Sequence, residues 1–149
     1  MSISPTPSPA FGTQTLGETE KALGGILRQQ LAGTGLTEPL WVTLTIALVA
    51  TAGGPVDRDE LAGRVAGVFK VADAEAQDHL AELAAAGLLT DGAEVTVTDA
   101  GRRLHARIRG EVAPITERLW GDLPAEDLAT AARVLSTILE RANAELAPA

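Results

Sequence analysis

Apolar side chains recur at helical spacing along most of the chain, and the breaks between these stretches are sharp. Leu16, Leu23, Ile26, Leu27 and Leu31 form a stripe from Thr15 onward that Gly33 and Gly35 end. Thr37 stands where it would cap a second helix with Pro39 in its first turn. Trp41, Leu44, Leu48 and Val49 supply that helix's apolar face, and Gly53-Gly54-Pro55 stops it. Val56 suits a minimal strand. Asp57-Arg58-Asp59-Glu60 has the form of a capping box and predicts a short third helix with Leu61, Val65 and Val68 inward. Asp73 is expected to cap a fourth helix running to about Ala86, with Ala76, Leu80, Leu83 and Ala84 inward and Gly87 as its stop. Leu88–Thr90 and Glu94–Thr98 are β-prone runs around Asp91-Gly92, a tight hairpin signal. A fifth helix opens at Thr98 or Asp99. It carries Leu104, Ile108, Val112, Ile115 and Leu119 on one stripe and should kink at Pro114. A sixth runs from Ala125 to about Leu146 with Leu128, Leu135, Ile138, Leu139, Ala142 and Leu146 aligned.

Two short capped helices followed directly by a small hairpin describe a winged helix-turn-helix, here over residues 37–98 of a mostly α chain with six helices. The flanking helical stretches, 15–36 and 99–147, carry apolar stripes too wide for so small a module. Such stripes usually close on a second copy, so a homodimer is expected. Residues 15–149 read as a single domain. Residues 1–14 hold Pro5, Pro7 and Pro9 and no charge, and read as a disordered tail.

Composition narrows the chemistry. Among 149 residues there is no cysteine, which removes disulfides, zinc–thiolate sites and thiol catalysis. Aromatics are only 3%, so the core must be built from Ala, Leu, Val and Ile. No apolar run approaches the ~20 residues of a membrane span. The first ten residues lack the basic and apolar segments of a secretory signal, so a cytoplasmic protein with no membrane partner is expected. Ser136 is the one serine outside the first fourteen residues, the two histidines are far apart, and no glycine loop resembles a phosphate cradle. No enzyme and no cofactor are therefore expected. His79 has the spacing of a metal pair with Glu75 or Glu82, but a third ligand is missing and it reads as a surface histidine.

The segments GLTEPLWVTL, GGPVDRDELAGRV, LAELAAAGLL, VTVTDAGRRLHARI and DLPAEDLATAARVLSTILERANAEL, in that order, resemble the multiple-antibiotic-resistance regulator (MarR) family over residues 15–147. The resemblance implies an obligate homodimer that binds palindromic duplex DNA, usually as a repressor, and often releases it on binding a small aromatic or phenolic ligand. It also implies a pocket between the first, second and fifth helices, which Trp41 and His105 would border.

Under that resemblance the fourth helix is the recognition helix. With Ala76, Leu80 and Leu83 inward, its opposite ridge is Ala74, Asp78, Ala81 and Ala85. Gln77 is the one conventional base reader, able to pair with adenine. Asp78 stands where the resemblance implies a basic or hydroxyl side chain, and the hairpin tip Asp91-Gly92-Ala93 lacks the wing arginine the family usually carries. Between Val56 and Gly101 ten acids face three bases, which accounts for most of the formal −8. Phosphate neutralisation supplies most nucleic-acid affinity, and such a surface repels DNA. Positive charge gathers instead at Arg102, Arg103, Arg107 and Arg109. Lys70, Gln77, Asp78, Arg102 and Arg103 are the candidate DNA contacts. Two other readings keep the fold: an acidic module that binds a basic protein partner, and a small-ligand binder that acts through its pocket.

Overall fold

The computed structural model describes residues 9–148. Among them are six helices and one two-stranded sheet: α1 (Thr13–Leu31), α2 (Glu38–Ala50), β1 (Val56–Asp57), α3 (Arg58–Phe69), α4 (Asp73–Ala85), β2 (Glu94–Val95), α5 (Asp99–Trp120) and α6 (Ala125–Leu146). Most of the stretch expected to be a disordered tail lies outside the described residues, and α1 takes in its last two, Thr13 and Gln14. The chain divides into two compact units, one through Val112 and one over Ala113–Ala149.

The caps explain most boundaries. The Thr37 side chain accepts from Leu40 N at 3.4 Å and the Asp57 carboxylate from Glu60 N at 3.0 Å, each satisfying an orphan donor of a first turn. Thr98 opens α5: its hydroxyl accepts from Gly101 N at 3.0 Å and donates to Gly87 O at 2.6 Å. The fourth helix departs from expectation. Ala72 is its N-cap, with no side-chain cap, and Asp73 falls in the first turn with Glu75, where carboxylates suit the helix dipole. Helix α5 runs through Pro114 as one element.

The core of the first unit is aliphatic, built around Leu44, Leu61, Val65, Leu80, Leu83, Val95, Val97 and Ile108, each essentially sealed from solvent. Helices α2, α3 and α4 pack on one another, and β1 pairs antiparallel with β2 in the register Val56↔Val95 and Asp57↔Glu94. The hairpin's own arms meet at an isolated Leu89↔Val97 bridge. Together these elements make a winged helix-turn-helix. Two inward assignments change. Val68 is exposed, and Ala62 and Ala66 take the inner face of α3 beside Leu61 and Val65. Val49 is 74% exposed, because α2 buries Leu40, Thr43, Leu44 and Ala47 instead. On α5 the buried ridge is Gly101, His105 and Ile108, so His105 lies inside the first unit.

In the second unit α6 buries no residue, and Leu135, Leu139 and Leu146 are 46%, 60% and 67% exposed. No helix among the described residues is long and apolar enough to cross a membrane.

Gly101 is where α5 meets the hairpin: a Cβ there would collide with the Leu88 carbonyl and with a methyl of Val97 2.8 Å away. Gly101→Ala is expected to cost about 1–3 kcal/mol through overpacking. Gly63, exposed on α3 with open space where a Cβ would stand, should gain about 0.5–1 kcal/mol on Gly63→Ala. Urea denaturation at constant slope compares the two, and a Gly101→Ala protein as stable as the parent would contradict the packing described.

Candidate nucleic-acid interface

Burial of Ala76, Leu80 and Leu83 fixes what α4 turns outward. Ala74, Asp78, Ala81 and Ala85 are exposed, with Glu75 and Glu82 beside them, so the outer face carries acids and methyl groups and no base. Gln77 lies half-buried at the edge of that face. Its amide is already in use. Arg58 Nε donates to Gln77 Oε1 at 2.9 Å, and Gln77 Nε2 donates to Asp59 Oδ1 at 2.9 Å. Arg58 Nη1 also reaches Asp91 Oδ1 on the hairpin tip at 3.4 Å. Asp91 is 90% exposed, so that ion pair alone contributes little.

The other candidate contacts are scattered. Lys70 ends α3 in the left-handed conformation (φ 59°), and its Nζ donates to Gly67 O at 2.8 Å, satisfying a C-terminal carbonyl. Arg102 pairs with Asp99 at 3.7 Å across one helical turn. Arg103 is exposed and has no ion-pair partner among the described residues. Sequence reasoning counted Arg58 only as one of three bases. The capping box located it at the start of α3, but its side-chain partners lie 19 and 33 residues away, beyond any local pattern.

Trp41 and His105 do come together. Their rings stack with centroids 4.4 Å apart and planes 12° from parallel, joining α2 to α5. Thr45 completes the contact, its Oγ1 lying 3.0 Å from His105 Nε2 and also 3.0 Å from the carbonyl of Trp41. A concavity of about 530 Å³ opens alongside, lined by Thr45, Leu48, Val49, His105 and Arg109. It is apolar except at His105, Thr45 and Arg109, the general character of a small-molecule site.

Burial of the ring, followed by the repulsion of Arg109, holds the His105 imidazole below its ordinary value of about 6.5. The folded state therefore favours the neutral ring, whereas the unfolded chain takes up a proton near pH 6.5. Stability from this site is complete above about pH 6.5 and is lost as pH falls toward the lowered folded value. A fall in thermal midpoint between pH 7 and pH 5 that His105→Gln flattens is the expected outcome; an identical pH profile in the variant would refute it.

No protein-family model matches the sequence, and no curated protein sequence matches it. Solved structures do. The chain aligns with CouR from Rhodococcus jostii RHA1 bound to p-coumaroyl-CoA at TM-score 0.71 and 19% identity, covering 83% of this chain and 88% of that one. It aligns with the Mycobacterium tuberculosis MarR-family protein Rv2887 in complex with DNA at TM-score 0.65 and 22% identity, covering 84% and 94%. A MarR-family transcriptional regulator from Silicibacter pomeroyi gives TM-score 0.69 and 23% identity, covering 85% of each chain. The protein has the fold of MarR-family transcriptional regulators.

Proposed function

We propose that the protein is a homodimeric transcriptional regulator of the MarR type that binds palindromic duplex DNA as a repressor. The observation that carries this reading is the order of packed elements. An exposed α4 follows α3 through a tight turn and is itself followed by a hairpin, in a fold shared with a DNA-bound relative. The unpaired apolar stripe of α6 supports a second copy as the partner, since Leu135, Leu139 and Leu146 find no cover in one chain. Arg102 and Arg103 are the phosphate contacts, and the acidic α4 makes binding weak and strongly dependent on salt. A small aromatic or phenolic ligand in the concavity beside His105 releases the DNA.

A second reading draws support from the electrostatics. The exposed face of α4 carries Asp78, Glu75 and Glu82 and no base, which suits a basic protein partner better than phosphates.

Sedimentation tests the dimer: the parent chain is expected to run as a dimer and the Leu135→Arg/Leu139→Arg variant as a monomer, and a monomeric parent would end the proposal. Fluorescence anisotropy with duplexes from upstream of the gene tests the DNA. Binding at low salt should fade at physiological salt, and Arg103→Gln should lower the salt slope by about one. No binding at any salt, together with capture of a basic protein that Asp78→Lys abolishes, would favour the second reading.

A further inference from the structure

We infer that Arg58 is a positioning residue that locks the recognition helix and the hairpin tip into one reading head, with the Gln77 amide held in a single orientation. Arg58 sits at the junction of β1 and α3, and three of its groups are engaged. Its backbone N–H donates to Ala93 O at 2.8 Å, Nε donates to Gln77 Oε1 on α4, and Nη1 pairs with Asp91 on the hairpin tip. The side chain is only 21% exposed, so its remaining hydration is small and the fork is held in place. The base of the hairpin is held by β1 pairing and by buried Val95 and Val97, and its arms join through the Leu89↔Val97 bridge and bonds between Thr90 and Thr96; the tip, which turns through Gly92 at φ 115°, is where the Arg58 side chain adds its contact.

The chemistry of the partners fixes the amide. Guanidinium only donates and carboxylate only accepts. Arg58 therefore holds Oε1, and Asp59, the next residue along α3, holds Nε2. A flipped amide would set its NH2 against Arg58 and its oxygen against Asp59, losing both bonds. Gln77 thus meets any ligand with one lone pair and one N–H committed, and the orientation of the others is set by α3. Lysine does not replace this arrangement, because it presents its donors from one atom whereas Arg58 uses two nitrogens of a planar fork toward different elements.

The inference deepens the DNA-binding reading, but its decisive test needs no DNA. In the 15N-labelled full-length protein the Gln77 side-chain amide is expected to be distinct from free glutamine. Arg58→Lys should return it toward free values and speed amide exchange at Gly92–Glu94 by about tenfold or more, while exchange in the α2 core is unchanged. Where Arg58→Lys fails to fold, Gln77→Met tests the same link from the other side, and it should speed exchange at the hairpin tip as well. An unchanged Gln77 amide with unchanged tip exchange in the folded variant overturns the inference. On a duplex that the parent binds, Arg58→Gln should weaken binding without altering the salt slope. A slope lower by about one would make Arg58 a phosphate contact instead and overturn its positioning role. If the parent binds no duplex, the regulator reading fails and the exchange result still decides this one.

Discussion

Removal of Leu44, Leu61, Leu80 and Leu83 from water is the constraint from which the arrangement of the first unit follows. A helix turns 100° per residue, so once Ala76, Leu80 and Leu83 are committed to the interior, the residues α4 presents are determined. The acidic outer face is therefore not an adjustable surface detail. It is the far side of a packing solution, and any partner of α4 meets Asp78 with Glu75 and Glu82 flanking it. The hairpin is drawn in by the same core through Val95 and Val97, and Gly101 lets α5 approach its backbone closely.

Much of this was legible in the chain. Thr37 and Asp57 announced their helices because a cap is a local contract between a side chain and an N–H three residues on. The inward ridge of α4 could be read because its polar and apolar residues are cleanly segregated. Helix α2 could not be read in the same way. In Glu38–Ala50 nearly every residue is apolar, so periodicity does not say which face turns inward, and Val49 was assigned to the wrong side. Thr43 and the C-cap residue Thr51 add to the difficulty: both are buried with the hydroxyl satisfied by a bond back to a carbonyl one turn earlier, Pro39 O and Ala47 O. The burial of His105 is hidden for a related reason, since an imidazole counts as polar in any pattern yet packs flat against an indole.

The candidate site was less legible than the fold. Gln77 stood out as the base reader by residue type, but type says nothing about whether an amide is free. Its partners come from the start of α3, and the cation that joins it to the hairpin tip is fixed by tertiary geometry alone. Charge counting gives the sign of the module but not what its cations hold: of its three bases, Arg58 bridges elements, Lys70 closes a helix end and Arg64 lies 4.0 Å from Glu60. Among the described residues Arg103, on α5, is the one cation of the candidate contacts with neither an ion-pair nor a hydrogen-bond partner.

The distribution of the two indoles has a practical consequence. Trp41 belongs to the first unit and rests against an imidazole, whereas Trp120 ends α5 in the second and is 41% exposed. With no tyrosine and two phenylalanines in the chain, emission excited at the red edge of the absorption band comes from these rings alone. Replacing either by phenylalanine leaves a protein with one chromophore, so each half acquires a private optical signal without any label.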